Sequence, residues 1–212
     1  MSTKFRIILL FLFHFFGLIA CYFNALKPLF AMGTAYHLIV ITLLLFGDKK
    51  YLNIKFITTM LIVFLVGMAS EIIGVQTGYL FGNYHYTSAL GIKVLGVPVL
   101  IGITWASTAY ACNTVAIEIF KTNKIYSIIL AGLFMVAFDV VLEKFATFVP
   151  LWQWDNGVIP IYNYVCWFLI GGAISAFLQV RKMIDHNPVG LYYLLTQVVF
   201  FIGYLIIMNL EY

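Results

Sequence analysis

Charge is what this chain of 212 residues has least of. Asp, Glu, Lys and Arg make up 9% of it, against about 25% in a soluble domain, so it could not solvate a globular surface. Cysteine is sparse as well. Cys21, Cys112 and Cys166 show no ligand spacing and each falls inside an apolar run, where a thiol serves as a small packing residue. The four histidines form no HxxH or HExxH pattern, so no metal site is expected, and His14 and His37 near mid-span read as hydrogen-bonded core residues. No nucleotide or phosphate motif occurs, nor the paired Asp-rich, magnesium-binding motif of a prenyl-diphosphate enzyme. Low-complexity segments, internal repeats and a soluble domain are also missing, which leaves one membrane domain over residues 1–212.

What remains is apolar: 64% of the residues are hydrophobic and the mean hydropathy is +1.03. Seven runs approach the roughly 20 residues that a helix needs to cross a bilayer. They lie at about Phe5–Phe23, Leu26–Phe46, Phe56–Val75, Val97–Phe120, Ile125–Phe145, Ile161–Val180 and Val189–Met208. None alternates with period two, so a barrel is excluded and an all-α polytopic membrane fold is expected. Lys4 and Arg6 followed by a run ending Leu18-Ile19-Ala20-Cys21 resemble a lipoprotein signal. That run is long for a signal core and six more follow, so it reads as a retained helix. Seven helices also suggest a retinal protein, but the last run has no lysine for a Schiff base.

Basic residues set the orientation. Lys4, Arg6, Lys49, Lys50, Lys55, Lys121, Lys124, Arg181 and Lys182 share the side of the amino terminus, and only Lys27, Lys93 and Lys144 fall opposite. The amino terminus is therefore expected inside and the carboxyl terminus outside. The net charge of +4 reflects this bias and points to no nucleic acid.

Against this background three acids stand out: Glu71 late in the third run, and Asp139 and Glu143 late in the fifth. An acid at the bilayer centre costs about 2.5–3.5 kcal/mol on insertion scales, so several retained together imply use. Both helices run outward, which gathers all three acids in the outer half. Asp139 and Glu143, four apart, share a helix face. Glu118 sits beside Lys121 at the inner rim and reads as a solvated end residue. The two long outer loops, Gly74–Tyr86 and Pro150–Gly157, carry Tyr84, His85, Tyr86, Trp152 and Trp154, residues suited either to an aromatic belt or to a site. Ionisable groups gathered on one side fit a lipid-modifying enzyme better than a proton-coupled carrier or sensor, which needs a polar route through both halves.

The order Glu71-x-x-Gly74-x-x-Thr77-Gly78-x-x-Phe81-Gly82-x-Tyr84-x-Tyr86, then Gly96-Val97-Pro98 leading to Trp105, then Asp139-x-x-x-Glu143, Trp152-x-Trp154 and Asn163-x-x-x-Trp167 resembles the integral-membrane carotenoid hydratase family. This family includes bacterial carotenoid 1′,2′-hydratases and archaeal bisanhydrobacterioruberin hydratase. The resemblance runs from Glu71 to Trp167. Where the family usually carries a second Asp followed by Pro, this chain has Glu143-Lys144. The resemblance implies addition of water to the terminal double bond of an acyclic, membrane-embedded carotenoid, giving a tertiary alcohol. Isomerisation or elimination at the same end group would use the same acids. Glu71, Asp139 and Glu143 are then the acid–base groups, no cofactor is required, and the tyrosines, His85, Trp105, Trp152, Trp154, Asn163 and Trp167 contact substrate. The setting implied is a prokaryotic cytoplasmic membrane.

The basic bias yields a direct test of topology. Alkaline phosphatase, which works only outside, is expected to be active when fused after Tyr212 and silent after Lys124. Activity at the Lys124 fusion alone would invert the orientation.

Overall fold

In the computed structural model, which describes residues 1–146, 149 and 151–210, seven long helices follow one another along the chain. They are α1 Thr3–Tyr22, α2 Lys27–Leu45, α3 Ile54–Thr77, α4 Val99–Ile119, α5 Lys124–Ala146, α6 Ile161–Val180 and α7 Pro188–Leu210. Pro150 and the fusion point Tyr212 lie outside the described residues. The helix starts follow local chemistry. Ser2 and Asn53 accept hydrogen bonds from the first free amides of α1 and α3, and prolines precede α4 and α6, where a missing N–H costs nothing.

Six of the helices are long and apolar enough to cross a membrane. The second runs 19 residues, about 28 Å at the helical rise, but its described apolar stretch is the shorter Gly33–Leu45. The chain is thus a polytopic, all-α integral membrane protein, as its hydropathy implies.

The bundle is organised around α4. Its span is 72% buried, whereas no other exceeds 44%, and it is also the least apolar of the six. Small residues explain both facts: Ala106, Ser107, Thr108, Ala109, Ala111 and Cys112 let neighbours approach closely from every side. The tightest seam is with α3. A Cβ at Gly67 would stand 2.5 Å from Trp105 Cβ, so only glycine admits the α4 backbone and its indole there.

Polar contacts tie the loops at one end together. Arg6 pairs with Asp48 at 3.6 Å and donates to the Leu44 carbonyl, Lys50 meets Asp185, and Glu118 meets His186 at 2.7 Å. The side chain of Glu118 is 40% exposed, in keeping with its reading as a solvated end residue. At the opposite end two short ribbons form, which apolar periodicity did not anticipate. Strand β1 (Tyr84–Tyr86) pairs antiparallel with β4 (Trp152–Trp154), while β2 (Lys93–Val94) turns through Leu95-Gly96 onto β3 (Val97–Pro98).

Overfilling the α3–α4 seam is expected to cost about 1–3 kcal/mol. Thermal unfolding of the detergent-purified protein should therefore show a lower midpoint for Gly67→Ala. Gly172→Ala, whose added methyl meets nothing within 4 Å, should match or slightly exceed wild type. Equal midpoints for Gly67→Ala and wild type would refute the close-packed seam.

Candidate active site

The three acids come from two helices, and their hydrogen-bond partners come largely from elsewhere. Glu71 lies on the last turns of α3, and one turn beyond it Gly74 has no side chain to obstruct the returning loop. A Cβ at Gly74 would sit 2.9 Å from the Phe81 ring and 3.0 Å from the Tyr84 hydroxyl. Because that space is empty, the loop folds back over the helix and β1 reaches the acid. Tyr84 and Tyr86 donate to Glu71 Oε2 at 2.5 and 2.8 Å, and Trp105 Nε1 donates to Oε1 at 2.9 Å.

Asp139 and Glu143 occupy one face of α5, as their spacing requires. Asn163 Nδ2, from α6, donates to Asp139 Oδ2 at 2.7 Å. Glu143 Oε2 accepts from Trp154 Nε1 at 2.8 Å and from Trp152 Nε1 at 3.1 Å. One turn along α6 from Asn163, Trp167 stacks on Trp105 with ring centroids 4.2 Å apart and planes 19° apart. All three acids are at most 4% exposed.

The pairing of β1 with β4 explains the aromatic set. Tyr84 faces Trp154 and Tyr86 faces Trp152 across the ribbon, so period two puts all four rings on the face turned to the acids. His85 and Gln153, the pair between them, take the other face. His85 is accordingly the one sequence-proposed residue that the structure keeps away from the cluster: its side chain is 60% exposed and stands 3.8 Å from Asp155. Burial, followed by the neighbouring Glu71 charge, pushes the phenols of Tyr84 and Tyr86 above the usual tyrosine range. Both stay neutral donors at any physiological pH.

The acids line a chamber of about 40 Å³ together with Tyr84, Tyr86, Trp105, Trp152, Trp154, Asn163 and Trp167. A single water takes at least about 10–15 Å³ on the same measure, so there is room for one to a few. None of the lining residues is basic. Among the described residues no three His, Cys, Asp or Glu side chains stand close enough to share a metal ion.

Beside the chamber opens a second, much larger cavity of about 470 Å³. Ile101, Thr104, Leu142, Trp152 and Trp167 belong to the walls of both, so the two adjoin. Helices α1, α2 and α7 supply most of the remaining wall through residues such as Phe16, Phe30, His37 and Phe200, none of which sequence reasoning had placed at a site. His14 and His37 stand in this wall edge to face, with centroids 4.7 Å apart. His14 Nδ1 donates to the Leu10 carbonyl at 2.7 Å, the local bond expected of it. The one signal that could have directed attention there was two polar rings at mid-span.

A family model described as carotenoid biosynthesis protein matches residues 8–212, nearly the whole chain. No curated protein and no solved structure matches it.

The shifted phenols give a spectroscopic expectation. Most tyrosines ionise around pH 10, so between about pH 9 and 11 the ultraviolet difference spectrum reports accessible phenols. Because Tyr84 and Tyr86 remain protonated through that window, replacing both by Phe should leave its amplitude unchanged. An amplitude reduced by two tyrosine equivalents would contradict their burial against Glu71.

Proposed function

The chain belongs to the carotenoid biosynthesis protein family, and from that premise we propose that it adds water across the terminal double bond of an acyclic carotenoid. The observation that carries this reading is the adjacency of two unlike spaces: a small chamber walled by three carboxyl groups, and a large apolar cavity that shares five wall residues with it. The first suits proton transfer and water. The second suits a hydrocarbon chain.

An isolated trisubstituted alkene is a weak base. Its hydration therefore needs a positioned acid, shelter for a tertiary cation, and water on hand. In the proposed reaction a carboxyl proton goes to the alkene carbon nearer the chain, and the cation forms on the terminal carbon bearing two methyl groups. A water oxygen bonds to that carbon, and a carboxylate takes the surplus proton. The sum is alkene plus water giving tertiary alcohol, and the number of protons on the acids is unchanged. A proton passes back from the accepting to the donating carboxyl group through chamber water before the next turnover, and the step requires no metal or organic cofactor.

The hydrogen bonds suggest how the roles divide. Glu71 is met by three donor groups, the Trp105 indole N–H, which can only donate, and the hydroxyls of Tyr84 and Tyr86, and such an arrangement suits a carboxylate that stabilises positive charge and receives a proton. Among the described residues Asp139 has a single side-chain donor, the Asn163 amide on Oδ2, and Oδ1 is the oxygen we assign to deliver a proton. Glu143 is tethered by two indole N–H groups and orders the water. The outer faces of the stacked Trp105 and Trp167 rings offer a cation their negative quadrupole. Three enclosed like charges without a basic neighbour would be costly, so the chamber must hold protons along with charge. The membrane would be a prokaryotic cytoplasmic membrane.

Removal of a general acid or base typically costs about 10²–10⁴-fold. Losses of that order are expected for Asp139→Asn and Glu71→Gln at normal membrane levels, with Glu143→Gln milder and Glu118→Gln silent. Product from heavy water should carry deuterium on the carbon next to the new alcohol. Hydroxycarotenoid formed at near wild-type rates by both the Asp139 and Glu71 variants would refute the assignment.

A further inference from the structure

We infer that the polyene part of the substrate runs from the acid chamber along an aromatic corridor and enters the lipid between α1 and α2, at a mouth whose width Gly33 sets. This deepens the hydration reading, from which it takes an acyclic carotenoid as occupant. A chamber of about 40 Å³ cannot hold the chain that carries the reacting end, so the chain must lie in the adjoining 470 Å³ cavity. The shape of that cavity's wall suits a flat conjugated chain. Phe30 and Phe200 lie within 29° of parallel at 6.1 Å, and His37 and Phe200 within 28° at 6.5 Å. Ring faces aligned this way pack a planar polyene with more contact than branched aliphatic side chains would give.

The cavity is not closed at its far side. Phe16 of α1 and Leu29 of α2 both line it, yet they are 60% and 65% exposed, so its wall continues into the surface that meets lipid. Two glycines of these helices also line it, and they differ. A Cβ at Gly17 would meet the Phe200 ring at 3.0 Å, whereas one at Gly33 would meet nothing within 4 Å. The open space of the mouth therefore lies against Gly33. A conjugated chain is stiff, so the length that the cavity cannot contain has to leave in a line, and this opening leads sideways into the bilayer where such a molecule is dissolved.

The test uses the full-length protein in detergent with lycopene as the probe, and reads both carotenoid retained per protein, by visible absorbance, and alcohol formed. Gly33→Phe should lower both by about tenfold or more, the scale expected when several buried CH groups lose their place. Gly172→Phe, equally unobstructed but away from the cavity, should change neither. To separate blockage from misfolding, Gly33→Cys is purified first and then alkylated with a bulky maleimide. Retention should fall after alkylation, while wild type treated identically keeps its carotenoid. Wild-type retention by Gly33→Phe, or by the alkylated cysteine variant, would overturn the mouth. Wild-type protein that retains lycopene at this mouth but forms no alcohol would instead overturn the hydration reading and leave the corridor standing.

Discussion

Three carboxyl groups enclosed among apolar helices, with no basic side chain on the chamber wall, must be compensated by neutral donors. Every other feature of the acid end follows from meeting that demand. Phenol, indole and amide hydrogens supply it, six of them directed at Glu71, Asp139 and Glu143. Two of the donors are delivered by helices, Trp105 from α4 and Asn163 from α6. The other four come from a ribbon joining loops that are far apart in sequence, whose period-two geometry turns one aromatic face inward. Unpaired, these buried acids would cost several kcal/mol each.

Neutral donors have a functional consequence that salt bridges would not. A cation beside each acid would hold it permanently as a paired carboxylate, whereas N–H and O–H groups orient a carboxyl group and still let protons be exchanged with substrate or water. The indoles that satisfy the acids also present ring faces, so in the proposed hydration compensation of negative charge and shelter for a transient positive charge would come from one set of side chains. Only a small volume of the protein is polar in this way. The larger space beside it is left to dispersion and ring contacts, as the proposed hydrocarbon substrate would require.

Much of the acid end was legible before any coordinates. Glu71-x-x-Gly74 is a helical turn in which the glycine clears the path of the returning loop, and Asn163-x-x-x-Trp167 is a single α6 face that serves Asp139 and Trp105 together. His85 shows where adjacency misleads. Lying between two inward tyrosines, it is carried to the opposite face by strand geometry, and the strand itself is too short for periodicity to reveal. The contribution of α1, α2 and α7 was hidden for a different reason: a residue lining an apolar cavity and one facing lipid are chemically the same kind of residue.

The sequence by itself determined the class of the protein and the cost of its acids, because transfer free energy is a local property that each run of residues carries wherever it lies. Seven apolar runs, three acids inside them and a basic bias between them are all of that kind. Only the tertiary structure decided which donors reach which acid, that α4 forms the centre, and that the acid chamber abuts a large cavity. Those outcomes depend on contacts between segments tens of residues apart, such as Trp105 with Glu71 or Tyr84 with Trp154, and close packing rather than composition selects them.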